Sequence, residues 1–445
     1  MIRKYLDENA PYTEDFYQLI QSYDLEFGVI LLRDYKYLLD KYDKGNISCH
    51  DFTMHTNYML QYTWEKLHTG HWKNVHICWR KLYASLKLLI VLYNLYKCNN
   101  SIFQLNEQLI KEMIIQLDYS LIMGYAIFNQ FASKLANVLH QLINMKLIQS
   151  TNDDNLYISF QLNKTDDHED HDHDEDVVID QMKMNLFNLD SINYPSIEIF
   201  NTLIQSYKPF IITNAINFWP AYSNQHKWTL NYWRNNYGYR LVPIEIGTKY
   251  TDNNWGQKLV TINQFIDKYF KLTNNNNNSI KGYLAQYDIF TQIPELHNDI
   301  CIPDYCNVTG DDDDNNNNNM NSIEMNIWFG PNGTISPLHH DGDRANLLTQ
   351  INGYKYVILY PASQTDYLYA YHDDMLCNTS RIDLDNVDYN EFPEFSKAYG
   401  FHGILSPGEM LYIPPRCWHY VRSLSASFSV NFWWNISPSL IPPWR

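Results

Sequence analysis

Ser427-Phe-Ser-Val-Asn-Phe-Trp433 alternates polar and apolar residues without a break. A β-strand turns successive side chains to opposite faces. Phe428, Val430 and Phe432 therefore share one side, and Ser427, Ser429 and Asn431 the other. Outward from this stretch, short apolar runs recur at 323–329, 354–360 and 410–413, bounded by Gly or Pro. Short strands with turn signals between them predict a sandwich or barrel, so the chain from about residue 190 is expected to be all-β in its core.

Toward the N-terminus the period lengthens. Phe128, Phe131, Leu135, Val138 and Leu142 recur at spacings of 3, 4, 3 and 4, one face of an amphipathic helix, and Leu82, Leu86, Leu89 and Tyr93 repeat the pattern. Residues 1–160 are expected to form an all-helical bundle whose stripes are packing core. Between the two regions, 161–185 contains Thr165-Asp-Asp-His-Glu-Asp-His-Asp-His-Asp-Glu-Asp176, too charged to bury anything and expected to be a disordered linker. His168, His171 and His173 could hold a metal weakly there, but a solvated spacer is the simpler reading. The region 186–445 is interrupted by asparagine runs at 274–278 and 315–319, expected to be loop insertions near 273–279 and 311–320.

The 445 residues allow two or three domains, and 45% apolar with 15% aromatic residues is a globular composition. Much of the formal charge of -17 is local: removing the eight acidic residues of 166–176 and the four of 311–314 leaves -17 + 12 = -5. Nothing is basic enough to suggest direct nucleic-acid binding; a basic protein or peptide partner fits better. The opening residues lack a signal-peptide apolar stretch, and the most apolar segment, 88–93, is too short to span a bilayer. Seven scattered cysteines without a CxxC pair argue for reduced thiols in the cytosol or nucleus.

One pattern carries chemistry. His339-His-Asp341 follows Trp-Phe-Gly-Pro-Asn-Gly-Thr-Ile-Ser-Pro-Leu, two short strands about a turn, and His419 closes a similar strand and turn 78 residues beyond Asp341. Two His and one carboxylate on one face of an octahedron hold non-haem Fe(II), leaving the opposite face for 2-oxoglutarate and O2. His-x-Asp alone is weak evidence, since His168-Glu-Asp170 lies in the acidic run and His372-Asp-Asp374 in a polar stretch. The strand context singles out His339 and Asp341. His340 cannot replace His339, because its partner would be Gly342. Lys355, on the strand after Gly353, is a candidate cation for the distal carboxylate of 2-oxoglutarate.

With these residues assembled, the chain resembles the JmjC oxygenases. Gly282-Tyr-Leu-Ala-Gln, Gln292-Ile-Pro-Glu-Leu, Ile302-Pro-Asp-Tyr-Cys, Trp328-Phe-Gly-Pro, Thr334-Ile-Ser-Pro-Leu-His, Leu405-Ser-Pro-Gly-Glu, Trp418-His-Tyr-Val-Arg and Phe432-Trp-Trp carry the likeness. In the helical region Trp64-Glu-Lys-Leu-His-Thr-Gly-His-Trp-Lys carries it too. The resemblance implies a double-stranded β-helix, a cupin-like jelly roll, after the helical bundle, with Fe(II), 2-oxoglutarate and O2 at one mouth. It implies co-substrate contacts by Tyr283, Ser336, Asn346 and Lys355 with Trp433 nearby, Asn346 requiring a one-residue insertion after Asp341. It also implies a substrate pocket of Glu245, Tyr250 and Trp328, and no catalytic residue beyond the metal centre. Two activities are associated with such proteins, C-3 hydroxylation of arginine and demethylation of histone lysine. Glu245 with flanking aromatics favours a guanidinium. A histone-tail peptidase and a non-catalytic chromatin scaffold are the readings from other classes; no nucleophile–base pair or HExxH supports the first, and an intact triad opposes the second. A nuclear location follows from the resemblance alone, and the cytoplasm stays open.

Overall fold

In the computed structural model of the protein, residues 2–98, 106–150, 184–223, 226–247, 249–251, 255–270, 280–308, 322–372 and 376–443 are described. The acidic linker to residue 183, with His168, His171 and His173, and both asparagine runs lie outside them. The chain divides into two units, one of 1–166 with 234–241 and 291–294, the other of 167–233, 242–290 and 295–445.

The first unit is helical: α1 (Ile2–Asn9), α2 (Thr13–Gln21), α3 (Asp24–Asp43), α4 (Cys49–Leu67), α5 (Ile77–Lys97), α6 (Glu107–Tyr119) and α7 (Phe131–Ser150). Ser48 and Asn106 cap α4 and α6, their side chains accepting from the amides of Asp51 and Leu109. Leu82, Leu86 and Leu89 are fully buried in the shared core with Leu135 and Leu139. Phe128 departs from the helical reading. Residues 128, 129 and 130 have φ of 51°, 50° and 59°, so α7 begins only at Phe131. Phe128 still meets Phe16 edge-on at 4.7 Å. Spacing cannot separate a helical residue from a turn residue whose side chain returns to the same core.

A buried ion pair closes this unit. Arg240 Nε and Nη2 donate to Asp118 Oδ1 at 2.9 and 2.7 Å, Gln292 Nε2 donates to the same oxygen at 2.7 Å, and Arg240 and Asp118 are both fully buried. Removing one partner strands a charge away from water, a far larger loss than that of an exposed pair.

The second unit is built on β1 (Asn185–Asn188), β2 (Asp190–Asn193), β3 (Phe210–Thr213), β4 (Leu241–Ile246), β5 (Gly256–Thr261), β6 (Gly282–Tyr287), β7 (Glu324–Gly330), β8 (Ile335–His339), β9 (Arg344–Asn352), β10 (Lys355–Tyr360), β11 (Tyr399–Leu405), β12 (Met410–Ile413), β13 (Trp418–Ser423) and β14 (Ser427–Asn435). One sheet runs β1-β11-β10-β13-β8 and the other β2-β3-β12-β9-β14-β7-β6-β4-β5, the jelly roll expected of the region. Helices that the period-two reading did not reach fall between the early strands, among them α8 (Ile197–Ile204), α9 (Leu230–Tyr237, its residues from 234 on counted with the first unit) and α10 (Ile262–Tyr269).

Alternation decides what enters the interior. On β10, Tyr356, Ile358 and Tyr360 join one apolar cluster, while Val357 and Leu359 join another with Leu348 and Val421, leaving Lys355 on the Val357 face. On β14, Ser427, Ser429 and Asn431 are at most 1% exposed, so the polar face is as buried as the apolar one. These groups are hydrogen-bonded: Ser429 donates to Gln350 at 2.6 Å, and Asn431 accepts from Trp328 at 2.9 Å.

Asp118→Ala is expected to destabilise the fold by about 3–5 kcal/mol, read as a lower urea midpoint. A shift no larger than that of an exposed-charge control would contradict this account.

Candidate metal centre and co-substrate cleft

β8 and β13 pair antiparallel with His339 directly opposite His419. Directly opposed residues share a face, so the register brings together two imidazoles that are remote in sequence. Their ring centroids are 4.3 Å apart. The chain leaves β8 through Gly342, whose φ of 70° suits glycine, and Asp341 turns back toward both rings. Its oxygens lie 3.9 Å from His339 Nε2 and 3.6 Å from His419 Nε2. One ligand atom from each residue falls within 4.8 Å of the others, a grouping able to hold a metal ion.

The imidazoles are held in one tautomer. His339 Nδ1 donates to the Pro337 carbonyl at 2.7 Å and His419 Nδ1 to the Cys417 carbonyl at 3.1 Å. A carbonyl can only accept, so each Nδ1 carries the proton and each Nε2 presents a lone pair. Burial, and then His339, push the His419 imidazole down to about 4, keeping it neutral at physiological pH. Burial alone would raise the Asp341 carboxyl. His419, His339 and hydrogen bonds from Asn346 (2.8 Å) and Trp433 (3.0 Å) outweigh it and hold that carboxyl below its ordinary range.

The triad, Tyr283, Ser336, Asn346, Lys355, Trp433 and Trp328 line one cleft of about 350 Å³. Lys355 is 1% exposed, and its Nζ donates to Tyr283 Oη at 3.0 Å and Ser423 Oγ at 3.4 Å. Among the described residues it forms no ion pair, and burial pushes its ammonium down to about 7. Asn346 and Trp433 both donate to Asp341, so each bears on the ligand carboxylate as well as on the cleft. Glu245 and Tyr250 are not part of this lining. Glu245 pairs across β4–β6 with Tyr283 and accepts from Trp255 Nε1 at 3.3 Å, burial pushing its carboxyl up. Tyr250 meets His339 edge-on at 6.4 Å. His340 stays outside the group: its Nδ1 accepts from the Gly342 amide at 3.1 Å and its ring meets Trp418 at 4.7 Å.

His297-Asn-Asp299 has the same spacing as the ligand motif, yet its carboxylate is engaged elsewhere. Asp299 is 2% exposed and accepts from His226 (2.6 Å), Trp228 (2.9 Å) and Tyr232 (2.7 Å). Sequence reasoning missed Trp255 and Asn431, which touch Glu245 and Trp328. Asn431 could have been found as a polar residue on an alternating strand whose neighbours on that face are also polar.

Comparisons with known proteins agree with this fold. Residues 196–440 match the model of the cupin-like domain. The chain is 39% identical over 378 residues to lysine-specific demethylase 8 of Danio rerio, covering 85% of this chain and 86% of that protein. It is 34% identical over 448 residues to JmjC domain-containing protein D of Dictyostelium discoideum, covering 96% of each. It is 46% identical over 228 residues to lysine-specific demethylase JMJ30 of Arabidopsis thaliana, covering 51% and 50%. The chain belongs to the cupin-like JmjC oxygenases, a family dependent on Fe(II) and 2-oxoglutarate. No helix among the described residues is long and apolar enough to cross a membrane.

Asn346→Ala frees Asp341 of one donor, and divalent-metal affinity is expected to fall about 10- to 100-fold. Calorimetric titration with Mn(II) checks this, and an unchanged affinity would remove Asn346 from the metal's support.

Proposed function

We propose that the chain is an Fe(II)- and 2-oxoglutarate-dependent hydroxylase of arginine side chains in a protein substrate. Iron is held by His339, Asp341 and His419, a donor set of two neutral imidazoles and one carboxylate that suits Fe(II). Lys355 and Tyr283 would hold the distal carboxylate of 2-oxoglutarate, with Ser336, Asn346 and Trp433 lining the same cleft. The observation that carries this reading is the buried Lys355 ammonium without a counter-ion among the described residues. An unpaired buried cation is costly unless an anion arrives to meet it. When bound, metal and co-substrate couple oxidative decarboxylation of 2-oxoglutarate to hydroxylation of a C–H bond. The chain's own residues hold the metal, orient the co-substrate and keep water out.

Arginine is favoured because Glu245 is a desolvated carboxylate that pairs with no cation among the described residues and accepts only from Trp255. A planar guanidinium can take both its oxygens, and Tyr250 and Trp328 offer ring faces beside it. The names of the Danio rerio and Arabidopsis thaliana relatives favour a second reading, demethylation of lysine. A methyl-lysine pocket relies on aromatic faces and has less need of a carboxylate.

Incubation with Fe(II), 2-oxoglutarate and Arg-containing peptides is expected to add one oxygen by mass spectrometry. Loss of methylene units from methyl-lysine peptides, with no oxygenated arginine, would favour demethylation instead. Glu245→Ala is expected to abolish peptide hydroxylation while uncoupled 2-oxoglutarate consumption survives; equal turnover by variant and wild type would remove the arginine pocket. A pH dependence also follows. Lys355 titrates near 7 in the free protein, so below that pH it is a cation ready to bind. Above it, a proton must be taken up on binding. The 2-oxoglutarate Kd of the Mn(II)-loaded protein is therefore expected to weaken by up to about tenfold per unit as pH rises above about 7. Lys355→Met should bind weakly at every pH, and a steep profile in that variant would exclude Lys355 as the titrating group.

A further inference from the structure

β8 carries His339, yet it is the edge strand of its sheet, paired on one side with β13 alone. An open edge beside a metal site would leave backbone groups to water and let the strand move. Residues 376–382 cover it. The His340 amide donates to the Asn378 carbonyl at 3.0 Å, Asn378 Nδ2 donates back to the His340 carbonyl at 2.8 Å, and the Ser380 amide donates to the Leu338 carbonyl at 2.8 Å. Within that seal, Thr379 forms an antiparallel bridge directly across from His339.

The Thr379 side chain does something the seal does not require. It is 1% exposed, and its Oγ1 lies 3.1 Å from Tyr250 Oη. Tyr250 stands edge-on to His339, and both Glu245 and Asp341 bear on its hydroxyl. The residue before it is fastened to the same stretch, since Lys249 pairs with Asp383 and with Asp385, the latter at 3.3 Å. Residues 249 and 250 are thus tied twice to 379–385, once by charge and once by the Thr379 hydroxyl. The ion pairs can hold the loop, whereas the Thr379 hydroxyl engages the Tyr250 side chain itself.

We propose that Thr379 is a positioning residue: its hydroxyl locks the Tyr250 ring so that a substrate side chain held between Glu245 and the metal presents one C–H bond to the reacting centre. This rests on the reading of Tyr250 as substrate-facing. Misplacing a bound group near the reacting centre costs rate without requiring loss of binding. The fault should therefore appear as uncoupling rather than as weaker binding.

Thr379→Val keeps the volume and removes the hydrogen bond. The ratio of 2-oxoglutarate consumed to peptide hydroxylated is expected to rise roughly three- to tenfold, with peptide KM, Mn(II) affinity and Tm little changed. Thr379→Ser should restore the ratio. Tyr250→Phe should reproduce the fault, and Thr379→Val with Tyr250→Phe should be no worse than either alone. Unchanged coupling in Thr379→Val, or multiplying effects in the double variant, overturns the proposal. A substrate-free arm separates this failure from that of the arginine reading. With 3-fluorotyrosine placed at position 250, the 19F resonance should move or broaden in Thr379→Val and return in Thr379→Ser. An unmoved resonance overturns the role of Thr379 whatever the substrate. A moved one, with no oxygenated arginine from wild type, supports the lock and counts against arginine.

Discussion

Everything at the candidate centre depends on the antiparallel register that sets His339 opposite His419. A slip of one residue would turn every side chain of β8 to the other face and leave the two imidazoles on opposite sides of the sheet. The register is held from both directions. Trp418 and Tyr420 bury their rings in the cluster that also takes Ile335 and Leu338, so a shift of β13 against β8 would expose aromatic surface. On the other flank β10 fixes β13 through six consecutive partners, from Lys355 with Ser423 to Tyr360 with Trp418. The bulge between His419 and Val421 then adjusts the strand locally without moving the histidine out of register.

The same pairing explains why so much polarity lies inside. Alternation on β10, β13 and β14 sends Lys355, His419, Ser423, Ser429 and Asn431 inward, and each of them is at most 4% exposed. Most are satisfied by neighbouring groups, as Ser423 accepts from Thr334 at 2.9 Å and Ser429 donates to Gln350 at 2.6 Å. Lys355 is satisfied only as a hydrogen-bond donor, not as a charge. A hydrogen bond to a neutral hydroxyl recovers part of an ammonium's lost hydration, whereas a carboxylate answers its charge as well. An interior arranged this way is less stable empty than filled, which is the ordinary cost of a preorganised anion site.

How far this could be read from the sequence depended on whether neighbours in the fold were neighbours in the chain. The alternation of residues 427–433 and the stripes of α5 and α7 are local patterns, and both survive in the structure, with Phe128 lost to a turn. His339 and Asp341 were legible because a strand and turn surround them in sequence. His419 needed a pairing that no local period announces. Its own strand-and-turn context made it a candidate, and the β8–β13 pairing supplies the physical reason. Asn346 and Trp433 were legible as cleft residues, but not as donors to Asp341, because hydrogen-bond direction is set by the β9–β14 register that pairs them. Thr379 was beyond reach. It sits in a short stretch whose partners, the edge of β8, Tyr250 and residues 368–371, are set by the fold, and nothing in its spacing marks it.

The ladder between β4 and β6 ties Glu245, which lies outside the cleft lining, to Tyr283, which belongs to it. Glu245 and Tyr283 are direct partners across it, and Tyr283 in turn receives the Lys355 ammonium. Among the described residues, a carboxylate without a cation and a cation without a carboxylate thus both neighbour a single tyrosine. They do not neutralise each other, because Lys355 donates to Tyr283 and Ser423 while Glu245 accepts from Trp255. A shift of β6 against β4 would therefore move Glu245 relative to Tyr283, and with Tyr283 the hydroxyl that accepts from the Lys355 ammonium.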